Sequence, residues 1–258
     1  MKRISYIFLM AILLLTGCGK HPLPDFEAEN QDGRAIEFGV SSDISIESKA
    51  VIDNSNVYNY RFRALGNLTV DGEQQTNLFG TNGANVSYNK DRDIWTYSPL
   101  RYWQPGSYTF AAVMPSLISY SPSFSADEQL TLDFGTTGFS LASMQADLMV
   151  AFDSKTVQSP SAATQVDFNF EHQLALVVIK GANLESNTAI RIDEIKVYGN
   201  HSKVDGSMTF SKNGDSIESE YDITDLTTQT NVYSCFIPRC QSTERVPVLL
   251  LWTPAFPP

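Results

Sequence analysis

Apolar residues recur at every second position along most of this chain, a period that admits little besides antiparallel sheet. Tyr58, Tyr60, Phe62 and Ala64 fall on one side of an extended backbone, while Asn59, Arg61 and Arg63 fall on the other. Leu130, Leu132 and Phe134 repeat the pattern, as do Val166, Phe168 and Phe170. Strand side chains alternate between faces, so runs of this kind predict half-buried strands rather than helices. Residues 174–179 are apolar on both faces and predict a central strand. In Ile190, Ile192, Ile195 and Val197 the phase slips by one, which suggests a bulge near Asp193 or Glu194. Met208 with Phe210, then residues 232–237 and 246–252, continue the series. Asp71-Gly72, Thr81-Asn82-Gly83, Pro105-Gly106 and Asn213-Gly214-Asp215 punctuate it as turns. Residues 142–152 alone carry a weak helical period. The expected class is all-β.

More than a dozen short strands exceed one small sandwich, and 258 residues suffice for two domains of roughly 100–200 each. Two β-sandwiches in tandem are expected, residues 35–158 and 159–258, divided within the polar, Pro-containing stretch 153–164. No repeat of fixed period is visible, which argues against a propeller or solenoid. Lys plus Arg is 18 against 29 acidic residues, a net charge of −11, and no basic run follows Lys2-Arg3. Polyphosphate is repelled by such a surface, so no nucleic-acid partner is expected.

The first seventeen residues give an address. Lys2 and Arg3 precede an apolar run over residues 4–15, too short for a membrane span of about 20 residues and of the right length for an export signal. Leu15-Thr16-Gly17-Cys18 resembles the bacterial lipobox, which implies cleavage before Cys18 and acylation of its thiol. Two or three acyl chains anchor stably where one does not. Residues 1–17 then form the signal peptide and residues 18–34, polar and Pro-containing, a flexible tether. The expected location is the cell outer membrane, lipid-anchored and surface-exposed or assembled into a filament.

Trp95 leads through Tyr102-Trp103-Gln104-Pro105 to Tyr108-Thr109-Phe110-Ala111-Ala112-Val113-Met114-Pro115. Asp147-Leu148-Met149-Val150-Ala151 follows, then the stretch from Val166 through Phe168, Phe170 and His172 to Ala175, and finally Phe236-Ile237-Pro238-Arg239. In this order these segments resemble the fimbrillin-like (Mfa-like) lipoproteins of Bacteroidales, which build type V pili. The resemblance implies transthyretin-like sandwiches, a fimbrial role in adhesion, and assembly by strand exchange. On that resemblance a protease would remove the first strand, and other fimbrial subunits would fill the groove by strand donation. Host or bacterial surface ligands would be further partners. Two departures bear on this. Lys49-Ala50 stands where the family often carries an Arg before the processed chain, so Lys49 and Arg34 are the candidate maturation sites. The sequence stops at Pro258 where relatives continue, so the C-terminal sandwich is expected to be truncated, or the subunit to be one that cannot donate.

No H-E-x-x-H, G-x-S-x-G, C-x-x-C or P-loop pattern occurs, and the expectation is a non-enzymatic protein without cofactor or metal. His172, beside Glu171 between two apolar strands, reads as a polar strand residue more readily than as a base or ligand. Cys235 and Cys240 lie too far apart when extended, at about 16 Å, for a disulfide. They either bond through a tight turn over Ile237-Pro238-Arg239, or Cys235 is a small buried strand residue. Acidic turn residues Asp71, Glu73, Asp91 and Asp93 lack the spacing of a calcium loop. Trp95, Tyr97, Tyr102, Trp103, Tyr108 and Phe110 read as core aromatics. Were Trp95 and Trp103 solvent-facing, they would instead make the chain a glycan-binding surface lipoprotein.

Overall fold

Alternation in the sequence becomes pairing in space. The structure, a computed structural model, describes residues 33–42, 52–116, 120–140, 147–179, 194–199, 203–223, 230–236 and 249–254. Sixteen strands and two short 3-10 turns, Val57–Asn59 and Pro160–Ala162, are the regular elements among them, with no α-helix. The strands are β1 (Phe38–Ser42), β2 (Phe62–Val70), β3 (Glu73–Gln75), β4 (Ala84–Asn89), β5 (Ile94–Thr96), β6 (Gly106–Met114), β7 (Ser121–Phe124) and β8 (Leu130–Ser140). After them come β9 (Met149–Val157), β10 (Val166–His172), β11 (Leu174–Ile179), β12 (Glu194–Gly199), β13 (Lys203–Asn213), β14 (Ser216–Ile223), β15 (Thr230–Phe236) and β16 (Leu249–Pro254).

The chain is all-β, as its periodicity predicts. An eight-stranded sheet runs β1-β10-β9-β6-β2-β4-β5, with β3 added to β2; a four-stranded sheet runs β14-β13-β8-β7. β11 pairs with β16 and β12 with β15. The ladders cross the expected 158/159 boundary, since β10 bonds β9 and β13 bonds β8. The register shift between β12 and β15 falls at Val197/Tyr198, a few residues beyond Glu194, while Asp193 lies outside the described residues. The weak helical period over residues 142–152 yields at its end to strand β9, because Met149 and Ala151 face one core while Val150 faces another.

Two cores share the middle strands of the large sheet. Phe62, Ala64 and Leu68 of β2, with Tyr108, Phe110, Ala112 and Met114 of β6, face an aromatic interior that includes Phe38, Trp103, Phe168 and Phe170. Leu65, Ala111, Val113 and Val150, on the opposite face, pack against Phe124, Leu130, Leu132, Met208 and Phe210 of the smaller sheet. A strand buried on both faces cannot alternate apolar with polar, which explains the continuous Phe110-Ala111-Ala112-Val113-Met114 run. Buried Asn67 donates from Nδ2 to the Ser125 carbonyl (2.8 Å), tying β2 to the turn before β8. Turn chemistry holds where it was read: Asp71 and Gly72, both at positive φ, make the two-residue β2–β3 hairpin.

Candidate functional site

The leading strand is the feature to build from. β1 is the end strand of the large sheet and runs parallel to β10, with Phe38 opposite Val166 and Ser42 opposite Phe170. Val166 N–H donates to the Glu37 carbonyl at 2.8 Å. Just upstream, Ile36 N–H donates to the Arg101 carbonyl (2.8 Å) and Trp103 N–H to the Arg34 carbonyl (3.0 Å), on the opposite side. Backbone groups alternate sides along a strand, so those of Phe38 and Val40 also turn away from β10. The Tyr97 hydroxyl donates to the Ile36 carbonyl (3.0 Å) and secures the same entry. Beyond these bonds β1 is held by side chains. Phe38 stacks on Phe168 at 5.6 Å, meets Phe62 edge-on at 5.7 Å, and lies 5.3 Å from Tyr97 and 5.8 Å from Phe79. Lifting β1 away would uncover those four rings.

Where β1 turns its free edge outward it meets the other end of the same sheet. Cα atoms of β1 and β5 come within 8 Å, yet the two strands form no ladder. The large sheet therefore curls nearly closed around its aromatic core and leaves a seam. A cleft of about 430 Å3 opens there, walled by residues 37–41, Gln165 and Asp167 on one side and by Tyr58, Tyr88, Asp93, Ile94 and Trp95 on the other. The rings of Tyr58, Tyr88 and Trp95 form one cluster, with centroids 4.5, 5.3 and 6.0 Å apart. Tyr58 is 41% exposed and Ile94 40%. Asp93 accepts from the Tyr88 hydroxyl, which holds that phenol up to about 12. Asp167 accepts from Gln165 Nε2 (2.8 Å) and lies 3.7 Å from Lys155 Nζ, and Glu37 pairs with Arg34 at 3.2 Å.

The residues singled out from sequence distribute as follows. Arg34 lies directly ahead of β1, its Nη1 donating to the Ala163 carbonyl at 2.6 Å. Cys18, Lys49 and Cys240 lie outside the described residues, and Cys235 takes a place on β15 opposite Ile195. His172 ends β10, its Nδ1 2.7 Å from Oδ1 of Asp147, whose side chain is fully buried and whose Oδ2 accepts the Ile52 N–H at 2.9 Å. That geometry makes His172 a structural residue. Trp95 and Trp103 are 8% and 1% exposed, so they belong to the core and do not form the sugar platform on which the glycan-binding alternative depended. Among the described residues no three of His, Cys, Asp and Glu come together as a metal site. Tyr58 corrects the alternation pattern. It sits in the 3-10 turn, because Asn56 Oδ1 accepts the Asp53 N–H and the strand begins only at Phe62. The Asn54-Ser55-Asn56 cluster ahead of it carried that signal in the sequence.

No curated protein matches in sequence. Among solved structures the chain is similar to a candidate cell adhesion protein from Bacteroides ovatus ATCC 8483, at 16% identity and a TM-score of 0.44, over 85% of this chain and 78% of that one. The fimbrillin-like family profile matches residues 64–251, well over half of the sequence. Its span takes in the central strands of the large sheet, the whole of the smaller one and half of β16, and on that extent of match the chain belongs to the fimbrillin-like family.

Proposed function

We propose that this chain is a lipid-anchored fimbrial subunit or accessory protein of adhesion, tethered to the outer membrane through acylated Cys18 and joined to other subunits by exchange of β1. The observation that carries the reading is the status of that strand. β1 is an end strand, bonded to a single neighbour, while its Phe38 fills the centre of the core. A strand held by one ladder along a single edge and by Phe38 in the core can be replaced by another strand carrying an equivalent side chain, since the β10 edge it leaves supplies main-chain partners to any extended peptide. Cleavage at Lys49 would separate β1 from the body, whereas Arg34 precedes it. Behind the cut, Ile52 stays fixed through Asp147. No catalytic step is part of this role.

A clamp tests it. Ser41 and Asn169 are register partners whose side chains already meet at 3.2 Å, so Ser41→Cys with Asn169→Cys, in a Cys235→Ser, Cys240→Ser background, would lock β1 to β10. Limited trypsin treatment of the purified chain should produce SDS-resistant ladders. The oxidised clamp should abolish them and reduction restore them. Ladders that form equally in the oxidised clamp, or fail to form in the parent, overturn strand exchange.

A further inference from the structure

The seam between β1 and β5 is a cleft whose chemistry the assembly role does not use. Its dimensions exclude one occupant at once. A strand inserted between two others needs about twice the 4.8 Å spacing, roughly 9.6 Å, and the flanking Cα atoms here come within 8 Å. Its volume of about 430 Å3 suits a small molecule, since such sites run from about 300 to 1,000 Å3.

The lining narrows the class further. Exposed Tyr58 presents a ring at the mouth, backed by Tyr88 and Trp95, and Ile94 extends the apolar floor. Acceptors and donors share the cleft: on the β1 side the carboxylates of Glu37 and Asp167, the Gln165 amide and the Ser41 hydroxyl, and beside the rings the carboxylate of Asp93. A cationic ligand would be drawn by carboxylates lacking a counter-charge. Here Arg34 already sits on Glu37, Lys155 lies near Asp167, and Asp93 is engaged by the neutral Tyr88 hydroxyl, so these groups are read as hydrogen-bond acceptors for a neutral partner. A neutral ligand with apolar C–H faces and equatorial hydroxyls matches an aromatic ring facing a row of acceptors.

We propose that the β1–β5 seam binds a neutral saccharide, one pyranose ring lying against Tyr58 with its hydroxyls bonded to Asp93, Gln165 and Asp167. The cleft has β1 as one wall, so it belongs to the chain before any strand exchange, and the two readings fail separately.

Saturation-transfer NMR on the full chain in detergent tests it, with methyl glycosides of glucose, galactose, mannose and N-acetylglucosamine as probes and arginine methyl ester as the cationic control. At least one glycoside should bind saturably. Tyr58→Ala should weaken it about tenfold, the size of one lost aromatic face, with the thermal midpoint unchanged. Asp93→Asn should weaken it as well, and Leu100→Ala, at an exposed position outside the cleft, should leave it unaltered. Binding by none of the glycosides, binding that survives Tyr58→Ala, or arginine methyl ester binding as tightly as any glycoside overturns the proposal.

Discussion

Asp147 illustrates how one side chain joins distant parts of the chain. Its two oxygens take the Ile52 N–H and the His172 ring, both inside the protein. Truncation to Ala removes both of these bonds and should lower unfolding free energy by about 2–4 kcal/mol in urea titrations, with Asp147→Asn losing less. Glycines separate in the same way by what surrounds them. Gly83 sits at φ +68, and a Cβ there would lie 2.5 Å from the Ala64 carbonyl oxygen; Gly214, at φ +62, has nothing within 4 Å. Gly83→Ala should therefore cost about 2–3 kcal/mol and Gly214→Ala only about 1 kcal/mol. Asp53 is held below the usual carboxylate value of 3.8, mainly by its hydrogen bond from the Ser55 side chain. A depressed folded value stabilises the fold above the ordinary value and is lost as pH falls through the lowered one. Amide exchange at Ser55 and Asn56 should accordingly quicken below pH 3.8 relative to the global rate.

At the level of elements, β1 decides whether the molecule is closed or open. Phe38→Ala removes the ring that meets Phe62, Phe79, Tyr97 and Phe168, and should cost about 3–5 kcal/mol in calorimetry. If β1 unfolds ahead of the rest, the loss will appear first as faster exchange at residues 166–170 of β10. Ile36, Phe38 and Val40 alternate in the sequence, and the ladder of β1 begins at Phe38, after a single bridge from Ala35 to Tyr102. Its parallel partner was not announced. A parallel neighbour arises from a crossover of more than a hundred residues, and no local pattern records one.

On the scale of the whole molecule, the aromatic interior sets the alkaline limit. Burial pushes Tyr97 up to about 12 and raises Tyr108 and Tyr120, whereas phenols in the unfolded chain ionise near 10. A group with a raised folded value contributes fully below its unfolded one, and that contribution is lost as pH rises through the folded one. Stability should therefore be constant up to about pH 10 and fall between about 10 and 12, with the buried phenols ionising at 295 nm only as near-UV dichroism collapses. Strand positions, hairpin turns and the all-β class follow from the sequence alone, because a two-residue period and a Gly at positive φ are local properties of the backbone. So does the family, through apolar segments in a fixed order. The tertiary structure alone decides that β2, β6 and β9 serve two cores, that the large sheet curls until its ends face each other, and that Tyr58, Asp93 and Asp167 share a cleft. Those facts depend on which edges meet, and strand order is fixed by packing between residues far apart in the chain.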